Sequence, residues 1–132
     1  MLVPWRADIG TVRRQIRDPR APTRRPFGAN LILEFPQEER LVACLEENVR
    51  VISFFWRDPS SLVRRPKEAG AIVLHTVGSA GDAKHAVNCG VDIVVAQGWE
   101  AGGHVCGTVA LPVPAENFSR RGMSARMGYD AR

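Results

Sequence analysis

Four short apolar runs recur along this chain at nearly equal intervals: Phe27-Gly28-Ala29-Asn30-Leu31-Ile32-Leu33, Val49 to Phe55, Ala71-Ile72-Val73-Leu74-His75 and Val91 to Ala96. They begin near residues 28, 50, 71 and 91, a recurrence of about 21 residues. Each is rich in the β-branched and aromatic residues that suit strands. Between them lie segments whose apolar residues fall at helical spacing. Alternation of this kind argues for parallel strands joined by right-handed helical crossovers. The chain is therefore expected to form an α/β fold: a section of a (β/α)8 TIM-type barrel, about four parallel strands with outer helices. An open doubly wound sheet is the alternative.

The intervening helices have recognisable starts and stops. Asp8 to Asp18 carries Ile9, Val12 and Ile16 on one face, with Asp8 as cap and Pro19 and Pro22 beyond its end. Pro36 to Asn48 opens on a proline suited to a first turn and aligns Leu41, Val42 and Leu45. Ser60 to Ala69 turns Leu62 and Val63 inward, and Pro66 in its middle is expected to kink or shorten it. After a turn over Thr76-Val77-Gly78-Ser79, Ala80 to Cys89 presents Ala83, Ala86 and Val87, and Gly90 caps its end.

Both candidate architectures gather their functional loops beyond the C-terminal ends of the strands. That puts Asn30 to Leu33, Trp56 to Asp58, His75 to Ser79 and Gln97 to His104 on one rim. The last of these is the richest. The buried-type run ending at Ala96 breaks into Gln97-Gly98-Trp99-Glu100-Ala101-Gly102-Gly103-His104. Three glycines let backbone approach a ligand closely, and His104 brings a group that exchanges protons near neutral pH. Glu100 is read as a residue that orients the loop, and His75 and His85 as structural or exposed.

Composition narrows the function classes. At 132 residues with 45% hydrophobic and 24% charged residues, the chain has the size and balance of one globular domain. It has no stretch of 18 apolar residues and no secretory leader pattern, so neither membrane nor export is expected. Cys44, Cys89 and Cys106 are odd in number and lack C-x-x-C spacing, which points to reduced thiols in a cytoplasm rather than a disulfide or zinc framework. The net charge of +4 is concentrated between Arg13 and Arg25 and in the tail from Arg120 to Arg132. No aromatic platform accompanies these arginines, so they read as solvated faces, not a nucleic-acid surface.

Phe27-Gly28-Ala29-Asn30-Leu31 and Ala96-Gln97-Gly98-Trp99-Glu100-Ala101-Gly102-Gly103-His104 resemble the two central signatures of the nitronate monooxygenase family, also called 2-nitropropane dioxygenases. Thr76-Val77-Gly78-Ser79 and the Ala-rich segment after it match the same register, and the resemblance runs from about Ile9 to Leu111. It implies an FMN-dependent barrel that oxidises alkyl nitronates with molecular oxygen. In that family the residues matching Asn30 and Gln97 contact the flavin, and those matching Gly102 and Gly103 pack close to it. The residue matching His104 lies near the reactive flavin edge, in substrate binding or proton handling. An Asn or Gln amide offers the paired donor and acceptor that the flavin ring edge can meet.

The same resemblance sets expectations about what is missing. A complete barrel needs about 250 residues and eight strands. No counterpart of the family's opening strand is evident before Asp8, and no phosphate-binding strand ends are evident after Leu111. Residues 1–111 are expected to form a partial FMN-dependent barrel, and 112–132 a divergent, poorly ordered tail. Flavin binding by this chain is expected to be weak or absent. A related flavin-dependent enoyl-acyl carrier protein reductase shares the Glu-Ala-Gly-Gly-His segment, with Gln97 favouring the monooxygenase. A truncated non-catalytic fragment is a third reading.

Overall fold

The computed structural model describes residues 1–4, 6–18, 25–98 and 101. The elements run α1 (Ile9–Arg17), β1 (Gly28–Ile32), α2 (Glu38–Glu46), β2 (Val51–Phe55), α3 (Ser60–Glu68), β3 (Ile72–Val77), α4 (Ala80–Asn88) and β4 (Ile93–Ala96). The four strands form one sheet in sequential order, every neighbouring pair parallel. This is the arrangement that the 21-residue recurrence and the crossover rule require. No helix among the described residues is long and apolar enough to cross a membrane.

Register sorts the strand residues onto two faces. Ala29, Ile52 and Val73 form one cross-sheet row, and Leu31, Phe54, His75 and Val94 the next. All of these but Val94 are buried, and they pack with Val12 and Ile16 of α1, Leu41 and Cys44 of α2, Val63 of α3, and Ala83 and Ala86 of α4. The core therefore lies between sheet and helices. No helix among the described residues covers the opposite face. Ile72, Ile93 and Val95 stand on it 48%, 43% and 40% exposed, as the inward face of a barrel section would be.

Three successive helices end in one motif, and that motif delivers the chain to the next strand. After α2, Asn48 N–H bonds Leu45 O and Val49 N–H bonds Cys44 O; after α3, Gly70 bonds Lys67 and Ala71 bonds Pro66; after α4, Gly90 bonds Val87 and Val91 bonds Ala86. Asn48, Gly70 and Gly90 all have left-handed φ, at 60°, 71° and 91°. These are Schellman ends, each followed by a buried apolar residue (Val49, Ala71, Val91) that docks in the core. A glycine after the helical pattern marks the Gly70 and Gly90 ends, whereas the first of the three ends on Asn48.

The structure departs from the sequence expectations at three places. Pro66 does not shorten α3, which runs nine residues like the other helices. It lies three residues after Val63 on the buried side, in the last turn, where its missing N–H removes one backbone bond while its ring packs in the core. β3 continues through Thr76 and Val77, which pair with Val95 and Ala96, so the turn begins at Gly78. The N-terminal segment also joins the sheet: Leu2 makes a parallel bridge to Asn30, with Asn30 N–H to Met1 O at 2.7 Å and Val3 N–H to Asn30 O at 3.0 Å. Three residues are too few to show a period, which is why this edge is not evident in the sequence. The tail 112–132 lies outside the described residues.

Candidate active site

Asn30 is the third residue of the five in β1, half-buried on the helix-free face. It is therefore not a rim residue; the rim of β1 is Leu33 to Phe35, past the strand end. Its row runs Leu2, Asn30, Ser53, Leu74, Ile93, set by the register of the strands. Two residues before Asn30, β1 packs tightly against β2: a Cβ on Gly28 would come 3.1 Å from a Val51 side-chain carbon and 3.2 Å from Val51 O. Gln97 follows β4 directly, its N–H bonding Val77 O at 2.9 Å, and is half-buried. It stands four residues beyond Ile93, so it is offset from Asn30 by roughly 13 Å along the strand direction at about 3.3 Å per residue. Gly102, Gly103 and His104 lie outside the described residues.

A cleft of about 730 Å³ opens at the rim itself. It is lined by Glu34 after β1, Trp56, Arg57, Asp58 and Pro59 after β2, His75 to Gly78 at the end of β3, and Asp82 and His85 of α4. Two of the loops that the strand pattern assigns to one rim, Trp56 to Asp58 and His75 to Gly78, thus do meet. Asn30 and Gln97 are not in its lining. The open sheet face and the rim cleft are two separate surfaces, and Asn30 belongs to the first.

The β2 exit loop is held in an unusual shape. Trp56 and Arg57 both have left-handed φ, 62° and 48°, without being glycine, a conformation that side-chain-bearing residues adopt only when their surroundings hold them there. Trp56 stacks on Phe55 with ring centroids 5.2 Å apart. Arg57 reaches back to Glu34 in a two-pronged pair at 2.8 and 2.7 Å, which holds the Glu34 carboxyl below its usual range. Asp58 Oδ1 and Oδ2 accept from Ser60 N–H and Oγ–H, both at 2.9 Å, starting α3.

His75 and His85 differ in kind. His75 is buried, with Nδ1 3.2 Å from Phe54 O, and burial pushes its pKa below the usual imidazole value. His85 is exposed, its Nε2 2.9 Å from Asp58 Oδ1 and 3.4 Å from Cys89 Sγ. The meeting of Asp58, His85 and Cys89 is invisible to C-x-x-C spacing. The one local signal is His85 and Cys89 four residues apart on a helix.

The comparisons with known proteins agree with this fold. A family model for nitronate monooxygenase matches residues 35–119. A curated relative from Mycobacterium tuberculosis, named (3aS,4S,5R,7aS)-5-hydroxy-7a-methyl-1-oxo-octahydro-1H-indene-4-carboxyl-CoA dehydrogenase, is 34% identical over 131 residues, 85% of this chain and 37% of the relative. The structure of FabK from Thermotoga maritima is similar at 35% identity and TM-score 0.74, over 79% of this chain and 33% of that one. A nitroalkane oxidase from Streptomyces ansochromogenes shares the fold at 22% identity and TM-score 0.68, over 89% of this chain and 43% of that one. The chain thus spans about a third of the length of the curated relatives it matches.

Proposed function

Because the chain belongs to the nitronate monooxygenase family, whose members are flavin-dependent oxidoreductases, we propose that it serves FMN-dependent oxidation of alkyl nitronates by molecular oxygen. The observation that carries this reading is the helix-free sheet face. Ile72, Ile93 and Val95 are exposed on it, and Asn30 stands on the same face, in one row with Ser53, Leu74 and Ile93. An apolar surface with an amide on the same face suits a planar aromatic ring that has a polar edge. The donor set fits a flavin on these grounds.

When bound, the flavin supplies the electron chemistry. The chain's own residues do the rest. Asn30 and Gln97 each offer one donor and one acceptor, so each can match a ring edge that presents both. Gly102 and Gly103 lack side chains and leave room for close approach. His104 holds the anionic nitronate when protonated, or takes the proton from the carbon bearing the nitro group when neutral.

A specific observation favours a second reading. Relatives above 30% identity include FabK, an enoyl-acyl carrier protein reductase, and a dehydrogenase whose name carries a CoA thioester. Thioester reduction by a nicotinamide cofactor is therefore the alternative chemistry for the same site. Two assays on the FMN-supplemented chain separate the readings. Oxygen uptake that depends on propyl-2-nitronate supports the first; NADH oxidation that depends on an enoyl thioester replaces it with the second. Inactivity in both assays overturns both for this chain.

A further inference from the structure

We propose that Asp58, His85 and Cys89 form a binding site for a divalent transition-metal ion of the zinc class, with one coordination position left to water. Their ligand atoms all lie within 4.8 Å of one another. His85 and Cys89 sit one turn apart on α4, so their side chains share a face. Asp58 arrives from the β2 exit loop, 27 residues away in sequence.

The directions of the contacts identify the site as a metal cap and not a proton relay. In a Cys–His–Asp relay the carboxylate would bond one ring nitrogen and the thiol the other. Here Asp58 Oδ1, at 2.9 Å, and Cys89 Sγ, at 3.4 Å, both converge on His85 Nε2. Three unlike donors that point at one small volume are what a single cation between them would require. Bond lengths of roughly 2.0–2.1 Å to N and O and about 2.3 Å to S need only small outward shifts from these spacings.

Chemistry selects the ion. A thiolate with an imidazole disfavours magnesium and calcium, which take oxygen ligands, and suits zinc and its neighbours. Three protein ligands leave a fourth tetrahedral position, and the exposure of His85 and Asp58 opens that position to solvent and to the rim cleft they line. Asp82 is engaged with Ser79, accepting its hydroxyl at 2.8 Å, and is not needed as a ligand. Coordination by Cys89 releases its thiol proton to solvent. The left-handed pair Trp56–Arg57 gains a role in this account: it immediately precedes Asp58 and sets the course of the loop that brings it to α4.

Cobalt is the probe. The chelator-treated full chain is titrated with Co2+ and followed by absorption. The expected result is a thiolate-to-cobalt charge-transfer band that saturates at one equivalent and is displaced by Zn2+. Cys89→Ser removes the band, and His85→Ala weakens binding by roughly tenfold or more, since even outer-sphere partners of a metal matter on that scale. Both side chains are at least partly exposed, and metal-free thermal melts matching the parent verify that the variants fold. Buried Cys44 does not compete. Absence of a saturating band, or a band that survives in Cys89→Ser, overturns the proposal.

Discussion

Asn30 and Ile93 occupy the same cross-sheet row, three strands apart, on the face that α1 to α4 leave uncovered. One is an amide and the other an apolar side chain 43% exposed. That pairing of an amide with an apolar surface is what the proposed cofactor role rests on.

The two faces of the sheet should respond differently to mutation. Phe54→Ala, on the helix side and fully buried, is expected to cost about 3–5 kcal/mol. Ile93→Thr, on the open face, should fall within about 0.5 kcal/mol of the parent. Urea unfolding of each variant measures this. Equal losses would mean that the open face is packed in solution.

Helix ends give a second prediction. Gly70 has φ of 71°, where an added Cβ costs about 1–2 kcal/mol. Gly70→Ala should lose stability in that range, although its Cβ would meet nothing nearer than an Arg50 nitrogen at 3.8 Å. Asn48→Gly should gain stability, because Asn48 already holds φ of 60°. Denaturant midpoints at constant slope check both.

Acid sensitivity should separate into two windows. Burial holds the His75 pKa below its ordinary 6.5. The unfolded chain therefore binds the proton more readily, and the stability His75 secures is present above pH 6.5 and lost as pH falls toward its lower folded value. Glu47 is held down to about 2, chiefly by Arg17 and then by Arg13, so its contribution is present above 4.5 and lost as pH falls toward 2. Melting temperatures of parent and His75→Gln should converge as pH drops from 7 towards the carboxylate range. A constant difference across that span contradicts the account.

How much of this was readable beforehand depended on length. Strands and helices are legible because each is an apolar run or a repeated helical spacing over four or more residues. Met1 to Val3 is not, because three residues at a sheet edge show no period. An apolar run does not reveal where pairing stops, so the sequence alone points Asn30 to the rim, whereas the register with Ser53 puts it mid-strand. Pro66 looked like a breaker because its burial beside Val63 is a tertiary fact. Asp58 and His85 lie too far apart in sequence for any local pattern to join them.

His104 yields a prediction about chemistry. If it handles the substrate proton, His104→Asn should lower turnover roughly 10²-fold or more, with the neutral nitroalkane affected more than the preformed nitronate. Equal losses assign it to anion binding. Steady-state oxygen uptake with both substrates distinguishes the two, and unchanged rates remove His104 from the mechanism.

The most direct test of the flavin site is a fluorescence titration of FMN with the purified chain, its Asn30→Ala variant and its Gln97→Ala variant. The account predicts weak but saturable quenching by the parent. Each amide variant should weaken it by up to roughly tenfold, the loss of about one hydrogen bond. No saturable binding by the parent, or identical affinity in all three proteins, would contradict it.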